Sequence, residues 1–349
     1  MLYAFLVRPQ EILRAVLAVN DPSGRVFVFL AAERGGIFIF EADAAGALTQ
    51  LGEFAIDGPA RGLNHETYSG DRQILFVAAG ENGLRILDVS VPTRPDEIAF
   101  LTAPGEAQGG ALVSQDDRVY YLSAAGRAGL HVVDVTDPAL PVLVSTFDSR
   151  GSVTDVVISA DKKTAYLADQ RAGLVALDIQ KLVNLSANKR PEEIGTLRIP
   201  GQAREMLLNG EQLFIASGSA GLVIVDVADP SAPKLSAGYD NLPNANSLDI
   251  WRGYVYVADT QKGVRALNIF DREQIFDVTK ERYGNNPQAL DILDGRIFVG
   301  DGILGLRVYD ADVTLDTARM ARSAPALQAH GVTQAGSGLL YIASPDRGL

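Results

Sequence analysis

The chain has 349 residues, of which 47% are hydrophobic, and a formal net charge of −12. It contains no cysteine, which excludes disulfides, thiolate nucleophiles and cysteine-ligated metal centres. The acidic balance argues against nucleic-acid binding, which depends on basic groups that neutralise phosphates. The apolar runs are shorter than the ~20 residues of a membrane helix, so we expect no membrane span.

The N-terminal segment "MLYAFLVRPQEIL" lacks the basic start, long apolar stretch and cleavage site of a secretory signal peptide. Its residues 3–13 correspond to "AFLTAPGEAQGGAL" (99–112), where one unit of the chain ends and the next begins. We therefore predict that Met1–Val7 is a closing strand, which completes the last unit of a ring.

A glycine followed by alternating apolar residues recurs at intervals of 42 to 48 residues. The repeat glycines are Gly36, Gly83, Gly129, Gly173, Gly221, Gly263 and Gly305, and an eighth start lies at Gly348. A period of this length is typical of helical solenoids and of β-propellers. We expect each repeat glycine to supply the backbone conformation that turns a loop into a strand.

The local sequence favours the propeller. The apolar segments are short and rich in Val, Ile, Tyr and Phe, as strands are, and no unit shows a sustained helical period. Dipeptides such as Asn209-Gly210 and Asp294-Gly295 are typical of hairpin turns. The prolines at 138–141 and 230–233 are expected to end one strand before the next begins. Four short antiparallel strands per unit predict an all-β propeller with four-stranded blades.

Inner hairpins begin near residues 12, 60, 107, 153, 203, 245, 287 and 329, which favours eight blades. Only seven complete repeat strands are present, so seven blades is the alternative. We expect a single propeller domain over 1–349, with a partial last unit at 329–349. In the favoured arrangement, the N-terminal strand completes the blade begun by that last unit.

The segments "GLRILDVSVPTRP" (83–95), "GLHVVDVTDPALP" (129–141) and "GLVIVDVADPSAP" (221–233) resemble the LVIVD-repeat family of bacterial and archaeal proteins. The resemblance weakens at 36–42 and after Asn268, and an insertion at 180–193 interrupts it. It implies a β-propeller, and it implies a cell-envelope or extracellular location. It implies no single activity, because propellers carry many functions.

Two sets of polar residues occupy equivalent places in the units. The first set stands where each inner strand begins: Arg61, Gln108, Thr154, Arg204, Asn246, Gln288 and His330. These side chains are expected at the channel mouth, either as a ligand-binding spot for an anion or as a hydrated ring whose members pair with one another. The second set precedes the repeat glycines by four residues: Asp169, Asp259 and Asp301. These carboxylates either bind a hard cation such as Ca²⁺ or accept N–H groups within their own turns.

Two functions of different class remain open. The first is a non-catalytic scaffold that binds a protein or glycan partner through its loop-rich face. The second is a hydrolase- or lyase-type enzyme with a polar or metal-assisted site at the channel mouth. No nucleophile–base pair, P-loop or zinc-protease motif is visible in the sequence, which favours the scaffold. A further interpretation is that the chain is one module of a longer envelope protein.

Overall fold

The computed structural model describes residues 3–5, 12–44, 46–149, 151–184, 191–302, 305–312, 331–334 and 340–343. Its ring consists of seven four-stranded antiparallel sheets, named blades 1 to 7 in chain order. The innermost strands of neighbouring blades contact one another all the way round, including those of blades 7 and 1. The protein is therefore a seven-bladed β-propeller.

Blades 1 to 3 each use four consecutive strands. Blade 1 contains β2 (Leu13–Asn20), β3 (Val26–Ala32), β4 (Gly36–Ala42) and β5 (Leu48–Phe54). Blade 2 contains β6 (Gly62–Tyr68), β7 (Arg72–Ala78), β8 (Leu84–Asp88) and β9 (Asp96–Leu101). Blade 3 contains β10 (Gly109–Gln115), β11 (Arg118–Ala124), β12 (Leu130–Asp134) and β13 (Val142–Phe147).

Blades 4 to 6 repeat this order. Blade 4 contains β14 (Val153–Ile158), β15 (Thr164–Asp169), β16 (Gly173–Asp178) and β17 (Glu193–Leu197). Blade 5 contains β18 (Glu205–Asn209), β19 (Gln212–Ala216), β20 (Leu222–Asp226) and β21 (Lys234–Tyr239). Blade 6 contains β22 (Ala245–Trp251), β23 (Tyr254–Asp259), β24 (Gly263–Asn268) and β25 (Phe276–Asp277). A short helix, α1 (Ile179–Val183), follows β16. Among the described residues, no helix combines the length and hydrophobicity that a bilayer crossing needs.

Blade 7 combines the two ends of the ring. Its first three strands are β26 (Ala289–Leu293), β27 (Arg296–Gly300) and β28 (Leu306–Asp310). Its outermost strand is β1 (Tyr3–Phe5), which pairs antiparallel with β28. The expected closing strand is thus confirmed over the part of Met1–Val7 that the structure describes.

The favoured count of eight blades is wrong, and the seven-bladed alternative is correct. The N-terminal strand completes the blade that starts at Ala289, and it pairs with neither of the two strands that the structure describes within 329–349. Within that segment, β29 (Gly331–Gln334) and β30 (Leu340–Ala343) pair only with each other. Because β2 contacts β26 directly, the inner ring is already closed without an eighth inner strand.

Each repeat glycine stands at, or one residue before, the start of the third strand of its blade, in a left-handed conformation. All seven have positive φ, between 72° and 89°. At Gly129, an added Cβ would lie much closer to the Phe147 carbonyl oxygen on the fourth strand than van der Waals contact allows. Only glycine satisfies both conditions, so the expected role of these residues is confirmed.

The hydrophobic core lies between the blades. Leu122 of blade 3 and Leu167 of blade 4 share one fully buried cluster. Phe40 of blade 1 and Phe298 of blade 7 share another, across the junction where the ring closes. Each fully buried side chain of this size contributes roughly 1.5–3 kcal/mol. The packing therefore fixes each blade against its neighbours and sets the position of the inner strands.

The strand directions define two faces. On the mouth face lie the loops that lead into each inner strand and the loops that precede the repeat glycines. On the hairpin face lie the turns between the first and second strands, together with the proline-containing segments between the third and fourth. For example, β20 ends at Asp226 and β21 begins at Lys234, with both prolines of 230–233 between them.

Candidate binding site at the channel mouth

The inner strands surround a channel that opens on the mouth face. The opening has a volume of about 670 Å³. We call the seven side chains at the start of the inner strands the mouth ring: Arg14, Arg61, Gln108, Thr154, Arg204, Asn246 and Gln288. Asn244, Thr260 and Asn286, from the adjoining loops, also line the opening.

The structure brings together six of the seven residues that the sequence placed at the mouth. His330, the seventh, lies outside the described residues. Arg14 of blade 1 completes the ring, and its place there was not predicted from the sequence. Its distance of 47 residues from Arg61 equals the distance from Arg61 to Gln108, a signal that could have identified it.

The backbone fixes the direction of these side chains. Arg61 and Arg204 stand just before their inner strands, and their N–H groups donate to Ala78 O (2.8 Å) and Ala216 O (2.9 Å). Arg14, Thr154 and Asn246 each lie at a register shift in their own inner strand. A bulge leaves the extra residue outside the ladder and re-aims its side chain.

Most ring members satisfy one another or a neighbouring group. Arg61 and Gln108 both donate to Glu106 Oε2, at 2.8 and 3.2 Å. On the other side, Asn246 Nδ2 donates to Gln288 Oε1 (3.1 Å) and Gln288 Nε2 donates to Asn286 Oδ1 (2.9 Å).

Two further ring members also have partners. Arg14 forms an ion pair with Glu33 (2.9 Å). Thr154 Oγ1 donates to Ala203 O (2.9 Å). For these side chains the geometry matches the hydrated, mutually paired ring.

Arg204 is the exception. Its guanidinium has no hydrogen bond or ion pair with any residue that the structure describes, although the side chain is only partly exposed. Burial lowers the pKa of Arg204, and the more distant Asp259 carboxylate offsets part of this effect. A desolvated guanidinium without acceptors is costly, so a bound group with acceptor oxygens would stabilise it.

Carboxyl groups lie one step deeper in the channel. Asp155 and Glu205 follow Thr154 and Arg204 in sequence and line a cavity of about 450 Å³ behind the opening. Burial raises the pKa of Asp155 to about 7. Burial and the nearby Asp155 raise the pKa of Glu205 well above its ordinary value. We call this pair the channel floor.

Three inner-strand aspartates connect consecutive blades. Asp155 Oδ2 accepts the N–H of Met206 in the next blade at 2.7 Å. Asp249 Oδ2 accepts the N–H of Ile292 (2.7 Å), and Asp291 Oδ2 accepts the N–H of Ala18 (2.6 Å).

These acceptors have a structural reason. An inner strand is the edge of its sheet, and its outward N–H groups need acceptors that the ladder does not supply. The Asp291–Ala18 bond joins the last blade to the first. None of these acidic residues was predicted from the sequence, although each is followed directly by apolar residues of its inner strand.

The three candidate metal ligands lie in blades 4, 6 and 7, and all are buried. Asp169 accepts hydrogen bonds from the N–H groups of Arg171 and Ala172. Asp259 accepts hydrogen bonds from the N–H groups of Gln261, Lys262 and Asn244. Asp301 accepts from two loop N–H groups at 285–286 and pairs with Arg307 (3.1 Å).

The geometry of these aspartates matches the turn-stabilising interpretation. No group of three or more His, Cys, Asp or Glu side chains in the described part of the chain is arranged to hold a metal ion. Binding of Ca²⁺ by Asp169, Asp259 and Asp301 stays a prediction.

Comparisons with known proteins agree with this architecture. The LVIVD repeat family matches at residues 74–101, 120–149, 150–196 and 200–241, which confirms the resemblance in the sequence. No curated protein matches the chain.

Solved structures show the same overall fold. The WD40 β-propeller domain of Doa1 is 14% identical with a TM-score of 0.63, covering 87% of this chain and 94% of that one. A chain of the mitotic checkpoint complex is 11% identical with a TM-score of 0.64, covering 88% and 93%. At this identity the likeness concerns the fold alone. The protein is thus a seven-bladed β-propeller that carries LVIVD repeats across residues 74–241.

Proposed function

We propose that this protein is a non-catalytic scaffold that holds a protein or glycan partner on the mouth face of the propeller. The observation that carries the proposal is the mouth ring, a polar rim around an opening of about 670 Å³ in which Arg204 has no counter-ion among the described residues. Loops on a rigid scaffold are common positions for binding groups.

The comparisons support a binding role at the level of the fold. One similar chain belongs to a complex, and the other is a WD40 domain. The family resemblance supports a further part of the proposal, which is that the partner is met in the cell envelope or outside the cell. The chain serves there as one module of a larger assembly.

The channel hydroxyls do not favour the enzyme alternative. Thr154 Oγ1 donates to a backbone carbonyl, as described above. Ser247 Oγ donates to Leu290 O (3.3 Å) and accepts the Leu290 N–H (3.0 Å). A nucleophilic hydroxyl must be free to pass its proton to a neighbouring base. Among the described residues, Thr154 Oγ1 contacts only backbone carbonyls. Ser247 Oγ lies within hydrogen-bonding reach of the Glu205 carboxyl, but it is also held by both the N–H and the carbonyl of Leu290.

The test is affinity capture from an extract of the source organism, together with a glycan array. The intact protein is compared with an Arg14→Gln/Arg61→Gln/Arg204→Gln variant. The matched control is Arg25→Gln/Arg72→Gln/Arg118→Gln, which removes three arginines that form ion pairs on the hairpin face. We expect the mouth variant to lose a partner that the intact protein and the control both retain. Equal retention by all three proteins would contradict the proposal.

A further inference from the structure

The mouth ring has one unit of uncompensated positive charge. Arg14 is neutralised by Glu33 and Arg61 by Glu106, at 2.9 and 2.8 Å. The guanidinium of Arg204 therefore remains as the one ring cation, among the described residues, without an ion pair. A ligand that complements this rim carries one negative charge at the level of Arg204.

The channel floor limits which anion can bind there. Asp155 and Glu205 line the same cavity as Arg204, immediately behind the opening. Asp155, whose pKa burial raises to about 7, is the floor carboxyl that carries charge at pH 7.5, and it imposes a negative potential on a group that enters the channel. Hydrogen phosphate would place its second negative charge against this floor, whereas a carboxylate has no second charge. A carboxylate can also accept two parallel hydrogen bonds from the planar guanidinium, in a bidentate pair.

We propose that Arg204 binds a single carboxylate group in the channel mouth. The inference rests on the proposed use of the mouth face as a binding surface, and it names the chemistry of the group that is bound. Two sources supply that chemistry, namely a free small carboxylate and an acidic side chain of a protein partner. The cavity volumes lie within the usual range for small-ligand sites, and an acidic side chain also fits the opening.

The test follows the Arg204 Nε–Hε signal by NMR while a probe is added at constant ionic strength and pH 7.5. The probes are acetate, N-acetylglutamate amide, glucuronate and inorganic phosphate. N-Acetylglutamine amide, which has no charge, is the matched control for the peptide probe. For groups this small we expect dissociation constants on the order of 1–10 mM. The carboxylates should bind about threefold more tightly than phosphate, because the floor repels the doubly charged form, which makes up roughly two thirds of phosphate at this pH.

Variants separate the guanidinium from the overall charge. Because Arg204→Gln and Arg204→Lys lack the Arg204 signal, binding to all variants is followed through the side-chain amide signals of Asn246 and Gln288, which line the same opening. Arg204→Gln should weaken carboxylate binding about 10- to 100-fold, the usual value of a charge-assisted pair. Arg204→Lys retains the charge but loses the bidentate geometry. Its affinity for carboxylates should therefore lie between that of the parent protein and that of Arg204→Gln. Asp155→Asn, which removes the floor carboxyl whose pKa is about 7, should reduce the difference in affinity between the carboxylates and phosphate. Arg118→Gln, on the hairpin face, should leave binding unchanged.

The response of the Arg204 signal and the affinities of the variants decide whether the carboxylate site exists. The proposal is overturned if Arg204 responds to phosphate as strongly as to acetate, if no carboxylate shifts its signal, or if a folded Arg204→Gln variant still binds. Tighter binding of N-acetylglutamate amide than of acetate identifies a protein side chain as the source, and the reverse identifies a free carboxylate. Tightest binding of glucuronate contradicts both sources and assigns the carboxylate to a glycan acid instead. If these probes bind but capture fails, the carboxylate site stands and the scaffold function fails. Mouth-dependent capture without probe binding supports the scaffold function and overturns the carboxylate site.

Discussion

At the scale of single residues, two arginines of the mouth ring have different surroundings, because Arg61 forms an ion pair with Glu106 and Arg204 forms none with any described residue. Arg61 and Arg204 could be placed at the mouth because the repeat supplies a common register. That register does not reveal that Glu106 neutralises Arg61 whereas Arg204 has no such partner among the described residues. The burial of the channel floor could not be predicted either, because the sequence does not distinguish an inner-strand carboxylate that faces water from one that packs against a neighbouring blade.

Asp249 should make stability fall as pH rises. Burial and the neighbouring Asp291 raise the pKa of folded Asp249 to about 7, whereas the unfolded carboxyl titrates near 3.9. Between these values the folded state binds more protons, so the free energy of unfolding decreases with increasing pH. Asp249→Asn removes this titration and keeps an oxygen that can accept the Ile292 N–H. We expect the decrease between pH 5 and 7.5 to shrink by roughly 1–3 kcal/mol.

Urea unfolding at the two pH values measures this change. The control is Asp161→Asn, which alters an exposed carboxylate whose pKa is lowered chiefly by the Ser159 hydroxyl. Because that group is already ionised at pH 5, its replacement should leave the difference between the two pH values unaltered. An unchanged difference in Asp249→Asn would show that the folded carboxyl titrates normally.

At the scale of elements, the second and third strands were easy to find and the fourth was not. Strands such as Thr164–Asp169 and Tyr254–Asp259 are buried along their whole length and read as continuous apolar runs. The fourth strands of blades 1 to 5 each contain a register shift against the third. In blades 2 and 4 the extra residues, Ile98 and Ile194, turn towards the core. A bulge breaks the alternation on which sequence recognition of strands depends.

The junction between the third and fourth strands should tolerate no side chain at a repeat glycine. Gly129→Ala combines a left-handed backbone with a collision against the Phe147 carbonyl oxygen. We expect it to cost about 3 kcal/mol or more. Gly24→Ala is the matched control, because Gly24 has almost the same φ of 83° but no atom within 4 Å of an added Cβ. It should cost only about 1 kcal/mol, the backbone contribution.

Chemical denaturation of the two variants and the parent measures both costs. If Gly129→Ala were no more destabilised than Gly24→Ala, the fourth strand would have to move away without penalty. The close approach of the two strands would then not be a reason for glycine at this position.

At the scale of the whole molecule, the architecture was predictable and the blade count was not. The period and strand chemistry predict a four-stranded propeller, and the N-terminal segment was recognised as a fourth strand. The count failed because the hairpin within 329–349 resembles the start of another unit. Which edge β1 joins depends on how the ring closes in space, and no local pattern encodes that choice.

Truncations test the closure. Removal of residues 1–11 deletes β1 and exposes the edge of β28, so we expect Tm to fall by about 5 °C or more and the variant to self-associate. Removal of residues 313–349 deletes a hairpin whose described strands pair only with each other, and Tm should change by less than about 2 °C. Calorimetry and size-exclusion chromatography measure both effects. A larger loss from the C-terminal truncation would show that the ring depends on that segment.

The shared seventh blade also has a consequence for biosynthesis. Tyr3 pairs with Val308, so about 300 residues separate the two strands in the chain. At roughly 5–20 residues per second, β1 waits about 15 to 60 seconds after its own synthesis before β28 exists. Blades 1 to 6 can assemble on the ribosome during that interval, whereas the closing strand must stay unpaired. Protection of this segment from premature pairing is therefore a requirement that the fold places on the cell that makes it.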